Sequence, residues 1–196
     1  MDHLVILGFV FLNLFMVLGA VDLFYFHIWK YKLHTRPESR YEHTLHMAFA
    51  FLMVPVAYLL YYQNFGGIAL WAGVSFVAAA LGTELLDVFS ENDSRASIGG
   101  LSTAEYALHV LLTILKVASF AFIFASKPAA AWDLSSPIVL GTYGWMGEMT
   151  AMQVMVGSGL VGLLHAALLH PRATTLGCGS LRCSRYSCCA TPGHSK

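Results

Sequence analysis

The chain has 196 residues, of which 57% are hydrophobic and only 11% charged, and its mean hydropathy is +0.64. An ordinary soluble domain carries roughly 25% charged residues, so this composition argues against a water-soluble globule. The formal net charge is zero, which provides no field to draw in nucleic acid or an acidic partner.

Five long apolar runs follow one another along the chain, at about 4–26, 43–62, 67–89, 104–125 and 152–169. Each approaches the ~20 apolar residues needed to cross a ~30 Å hydrocarbon core. No period-two alternation runs through them, and in lipid a helix satisfies its own backbone, so each is expected to be a helix. No basic stretch precedes the first run and no small-residue cleavage site follows it, so it is expected to be retained. The predicted fold is all-α: a polytopic membrane domain over 1–171 with about five transmembrane helices. The first four are expected to form an up-down bundle of two repeated hairpins.

The first run holds Asp22 about one turn before its end, and FHIWKYKLH follows, with His27 and His34 seven residues apart. A loop carrying Lys30, Lys32, Arg36 and Arg40 leads to the octet SRYEHTLH, residues 39–46, which opens the second run with Glu42, His43 and His46. The third run carries Glu84 and Asp87 in its last two turns, and Glu91 shares their face. Arg95 lies in the next loop. A second octet, STAEYALH at 102–109, opens the fourth run with Glu105 and His109. Lys116 lies near the middle of that run. The last run is preceded by Met146, Met149, Met152 and Met155, which read as packing material, and it ends with His165 and His170.

The two octets repeat Ser, Glu, Leu and His in the same places. Ser-x-x-Glu before an apolar run is a capping box, in which Ser accepts from a helical N–H and Glu reaches back. Both octets fit that device. Capping leaves unexplained the His one turn deeper in each helix. Residues four apart on a helix are neighbours, so Glu42 shares a face with His46, and Glu105 with His109. Because the helices alternate in direction, Asp22, Glu84 and both Glu/His pairs should lie at similar depth. A charge inside the bilayer costs roughly 2.5–3.5 kcal/mol on insertion scales, so such residues usually face the bundle interior. The expected metal ligands are therefore Asp22, Glu42, His46, Glu84, Glu105 and His109. His43, Asp87, His27, His34 and Lys116 are candidates to add to them or support them.

This order of carboxylate, Glu/His pair, carboxylate, Glu/His pair resembles the ligand pattern of ferritin-like di-iron carboxylate proteins, which draw single carboxylates from two helices and Glu-x-x-His pairs from two others. The resemblance is to the ligand pattern only. It departs from that pattern in its Glu-to-His interval of four, in Asp22 standing where the pattern has Glu, and in its membrane setting. Carboxylates and imidazoles without thiolate suit two transition-metal ions, with iron the first expectation and manganese or zinc also accommodated. The analogy implies an oxidoreductase acting on a hydrophobic substrate, or with a hydrophobic redox partner. A divalent-metal transporter, a b-type haem protein ligated by His46 and His109, and a non-catalytic assembly subunit are the alternatives.

Lys and Arg cluster in the first and third loops and in the tail, where Arg172, Arg182, Arg185 and Lys196 lie. By the positive-inside rule the N-terminus should be outside and the C-terminus cytoplasmic, with a bacterial inner membrane as the expected location. The site would then lie near the cytoplasmic face. Residues 172–196 lack periodicity and are rich in Ser, Gly and Arg, so a disordered tail is expected. Its Cys178, Cys183, Cys188 and Cys189 form no CxxC pair, and cytoplasmic disulfides are rare.

Overall fold

The computed structural model describes residues 2–170. The tail expected to be disordered, with its four cysteines, lies outside the described residues. Five helices are long and apolar enough to cross a membrane. They are α1 (His3–Val21), α2 (Arg40–Ala57), α3 (Gly67–Ser94), α4 (Thr103–Ala125) and α5 (Gly144–Leu169). The described chain is otherwise short turns and one small antiparallel ribbon, β1 (Asn64–Phe65) with β2 (Val139–Gly141).

Three boundaries differ from those expected. α1 does not stop near residue 26 but continues as a π-helix, Asp22–Lys30. Lys32, in the left-handed region at φ 50°, then turns the chain out of the helical path. α2 contains Pro55, whose missing N–H leaves the Phe51 carbonyl without its usual partner, and it ends in a second π-helical segment, Tyr58–Tyr62. α5 begins at Gly144, a full two turns before the apolar run that announced it. Hydropathy marks lipid-facing length, and it passes over helical turns that carry polar residues.

The helices pair as α1 with α4 and α2 with α3, while α5 lies along α2 and touches α1 more lightly. Apolar burial gives little drive between helices in lipid, so close approach and polar contacts matter more. Gly8 shows this on α1: a Cβ there would meet Ile123 Cδ1 at 2.9 Å. The Ser119 hydroxyl donates to the Gly8 carbonyl at 2.6 Å, and the Tyr61 hydroxyl reaches Ser119 at 2.5 Å. Phe9, Leu12, Met53, Leu60, Leu70 and Ile123 are buried around these contacts.

Lys127 fastens the end that carries the ribbon. Its ammonium donates to Asn64 Oδ1 at 2.7 Å, the Phe65 carbonyl at 3.0 Å and the Tyr143 hydroxyl at 2.9 Å. Burial pushes its pKa down to about 8. Gly67, at φ +56°, allows the close turn beneath the ribbon, since a Cβ would lie 2.5 Å from the Ser136 carbonyl. The opposite end of the bundle carries a large buried polar cluster.

Candidate metal centre

The helix starts explain how the two Glu/His pairs reach this cluster. Ser102 caps α4, its hydroxyl accepting from the Glu105 N–H at 3.3 Å. Ser39 precedes α2 but makes no such cap, and its hydroxyl donates instead to the Ser94 carbonyl at 3.1 Å. The two octets thus share a sequence and only one of them caps as expected. Their glutamates behave alike, because both turn inward to Arg95.

Arg95 follows the last turn of α3 and is fully buried. It pairs with Glu42 through Nη1, and with Glu105 Oε1 through Nη2 at 2.5 Å and Nε at 3.2 Å. Burial alone would disfavour its charge, but the Glu42 and Glu105 carboxylates outweigh that and hold its pKa above the ordinary value. The sequence placed Arg95 in a loop, where an arginine is ordinarily solvated. The signal that would have found it is its position four residues beyond Glu91, on the inward face of a helix that runs longer than its apolar stretch.

His27 is the other central residue, and it is 1% exposed. Its Nε2 lies 3.4 Å from Asp22 Oδ2, 3.7 Å from Glu42 Oε1, 3.9 Å from Glu105 Oε1 and 3.3 Å from Arg95 Nη2. In an α-helix, five steps would leave Asp22 and His27 ~140° apart around the axis. The i-to-i+5 bonding of a π-helix brings residues five apart back over one another, and both side chains then face the bundle interior. Sequence periodicity assumes a 3.6-residue turn and could not promote His27 above a supporting role.

The histidines of the octets each meet a carboxylate from another helix. His46 Nε2 lies 2.7 Å from Asp87 Oδ2. His109 Nδ1 lies 2.7 Å from Glu91 Oε1, and its Nε2 lies 3.3 Å from Asp22 Oδ1. The His27 ring stacks on His46 with centroids 4.9 Å apart and meets His109 edge-on at 6.2 Å. His43 and His165 form a buried pair with their Nδ1 atoms 3.0 Å apart, which attaches α5 to the cluster. From sequence, His165 at the end of the last run reads first as an interface anchor, with a ligand role only as an extra.

Of the six ligands expected, five gather here: Asp22, Glu42, His46, Glu105 and His109. Glu84 does not. It lies further along α3, pairing with Lys116 and accepting from the Thr113 hydroxyl at 2.7 Å. Asp87, three residues on, occupies the place expected for Glu84. Both lie on one helical face, so spacing alone does not choose between them. His34 lies in a 3-10 turn, Leu33–Thr35, half-buried, where burial and then Lys32 lower its pKa.

Two groups of side chains present one ligand atom each within 4.8 Å of one another: Asp22 with His27 and His109, and His27 with Glu42 and His46. His27 belongs to both. The donor chemistry, carboxylate and imidazole without thiolate, fits iron, manganese or zinc. Four atoms in and beside the cluster, His27 Nδ1, Glu42 Oε1, His43 Nε2 and Glu105 Oε2, are buried without a hydrogen-bond partner, and a buried polar atom in that state costs stability unless something satisfies it. Asp22, Glu42, Asp87, Glu91 and Glu105 are all buried, beside the Arg95 guanidinium and the imidazoles of His27, His46 and His109. No protein-family model, curated protein or solved structure matches the chain.

Proposed function

We propose that this protein is a membrane-embedded di-metal oxidoreductase acting on a hydrophobic substrate, with its centre near the cytoplasmic face. The observation that carries the reading is the meeting of two three-residue ligand groups at His27, among five buried carboxylates. Asp22 with His109 would hold one ion and Glu42 with His46 the other, and His27 Nε2, which has a single lone pair, would complete the set of one of them. Iron is the first choice, with manganese or zinc as alternatives. Bound iron at such a site supplies redox chemistry toward oxygen or an organic substrate.

The chain's own residues supply the rest. Glu91 holds His109 by its Nδ1 and so points Nε2 toward Asp22, the carboxylate–histidine arrangement that orients metal-binding imidazoles. Asp87 anchors His46 across the helix pair. Arg95 offsets the charge of Glu42 and Glu105. The crossed pairing of His46 with Asp87 and His109 with Asp22 also supports reading the first four helices as two repeated hairpins. A two-fold exchange of α1 with α3 and α2 with α4 interchanges these pairs and places Arg95 near the axis. Haem is the less favoured alternative, because the His27 ring lies beside both His46 and His109.

The test is metal analysis of the full chain purified in detergent, beside His27→Ala, His46→Ala, His109→Ala and Glu84→Gln. About two transition-metal ions per chain are expected in the wild type and in Glu84→Gln. Each of His46→Ala, His109→Ala and His27→Ala should lose about one. A metal-free wild type, or content indifferent to His27, overturns the proposal.

A further inference from the structure

Two of the seams between helices are wide. Neither α1 with α2 nor α3 with α4 runs in extended backbone contact. α5 lies on the α1–α2 side and packs along α2. Among the described residues, no helix covers the α3–α4 side.

The α3–α4 seam is crossed by polar rungs. Glu91 on α3 meets His109 on α4 at 2.7 Å. Glu84 on α3 meets Lys116 on α4, and Thr113 supports that rung. Glu84 and Glu91 are seven residues apart, as are His109 and Lys116, so each pair shares a helix face and the rungs lie ~10 Å apart along the seam. Asp87 falls between them on α3, with His46 bound to it behind. Between the rungs, then, it is side chains and not close backbone contact that separate the lipid from the His46 side of the cluster.

The outer rung has the form of a releasable contact. A charged pair at membrane depth is costly, which makes it a candidate functional position. The Glu84 side chain is 22% exposed, whereas that of Lys116 is 2% exposed. Lys116 Nζ also sits 4.6 Å from the Phe49 ring centroid and 5.5 Å from that of Phe15. If Glu84 turns outward, the ammonium keeps these two ring faces, which attract cations and offset part of the cost of opening the rung. We infer that the α3–α4 seam is the lateral entrance through which a hydrocarbon tail from the bilayer reaches the cluster, with Glu84–Lys116 as its latch. This rests on the proposed hydrophobic substrate and names the kind, a molecule carrying an acyl chain or similar tail.

The test uses the full chain with its four cysteines replaced by serine, reconstituted in phosphatidylcholine vesicles containing a diazirine-bearing acyl chain. After photolysis, labelling is mapped at Phe49, Leu112 and Lys116, which face inward, and at Val88 and Leu111, which face lipid. Inward labelling should be present, should rise roughly fivefold or more in Glu84→Gln, and should fall to background when Glu84→Cys and Thr113→Cys are bridged by a short bis-thiosulfonate. Labelling confined to the lipid-facing positions, or inward labelling indifferent to both changes, overturns the entrance. Metal content is measured in the same samples. An absence of metal with latch-dependent labelling refutes the metal centre and leaves the entrance standing, and retained metal without inward labelling does the reverse.

Discussion

Replacing Arg95 by methionine keeps most of its length and removes its charge. In the wild type the guanidinium satisfies Glu42 and Glu105 at once, in a place where the exposure of all three residues is 2% or less. Breaking a buried pair by deleting one partner costs roughly 3–5 kcal/mol, because the surviving charge stays buried and uncompensated. Here two carboxylates survive, so the metal-free variant should sit at the upper part of that range, a shift of ~10³ in its unfolding equilibrium. The assay is thermal or denaturant unfolding of chelator-treated protein in detergent, followed by circular dichroism. Adding Glu105→Gln to Arg95→Met should then restore stability, whereas Glu105→Gln alone should destabilise, since it weakens the hold on Arg95. A divalent cation should stabilise Arg95→Met more than the wild type, as both carboxylates are freed to bind it. If metal-free Arg95→Met unfolds like the wild type, or Glu105→Gln costs the same in both backgrounds, Arg95 is not the counter-charge of the cluster and the reasoning fails.

Other expectations address different parts of the fold. Lys127 has a folded pKa of about 8, below its ordinary 10.5, so between these values the unfolded state binds more protons and stability rises with pH. That rise amounts to up to about 3 kcal/mol, and it should disappear from the pH profile of Lys127→Met. Gly147→Ala should destabilise by ~1–3 kcal/mol, the range for overpacking, because the new Cβ would lie 2.9 Å from the Tyr61 carbonyl and 2.5 Å from Tyr143 Cβ; equal melting temperatures would refute it. Ser102→Ala should cost about 1 kcal/mol through loss of its cap. Ser39→Ala should instead release the contact with the Ser94 carbonyl, which hydrogen exchange at the end of α3 would register. His165→Phe should loosen α5 from the cluster by removing the partner of His43, with faster proteolysis of α5 as the readout.

The membrane helices were legible because their signal is local: twenty apolar residues need no knowledge of the neighbours. The gathering of Glu42, His46, Glu105 and His109 was legible for a similar reason, since i and i+4 fix a face whatever the helix packs against. The misplaced or underweighted residues depended on information that spacing does not hold. His27 faces inward because the turn below it is π-helical, and no residue type announces that. Arg95 lies where charge-based topology rules expect a solvated cation, and only the meeting of α2, α3 and α4 buries it. Glu84 and Asp87 share a face, and the depth at which α3 stops decides which of them reaches His46.

The two octets are best understood through what each glutamate does after its helix has begun. In a capping box the Glu carboxylate is used within its own first turn. Here both carboxylates turn across the bundle to one guanidinium from a third helix, and the histidines one turn deeper reach carboxylates on α3 and α1. Each half of the proposed repeat is therefore incomplete alone, since its imidazole is held by the other half's aspartate. Such crossing makes assembly of the centre conditional on packing α1 with α4 and α2 with α3. It also explains why a chain with so few charges keeps this many of them at one end. Buried singly they would each be a liability in lipid, whereas as a connected set they hold the two halves together and leave His27 in the middle, facing both.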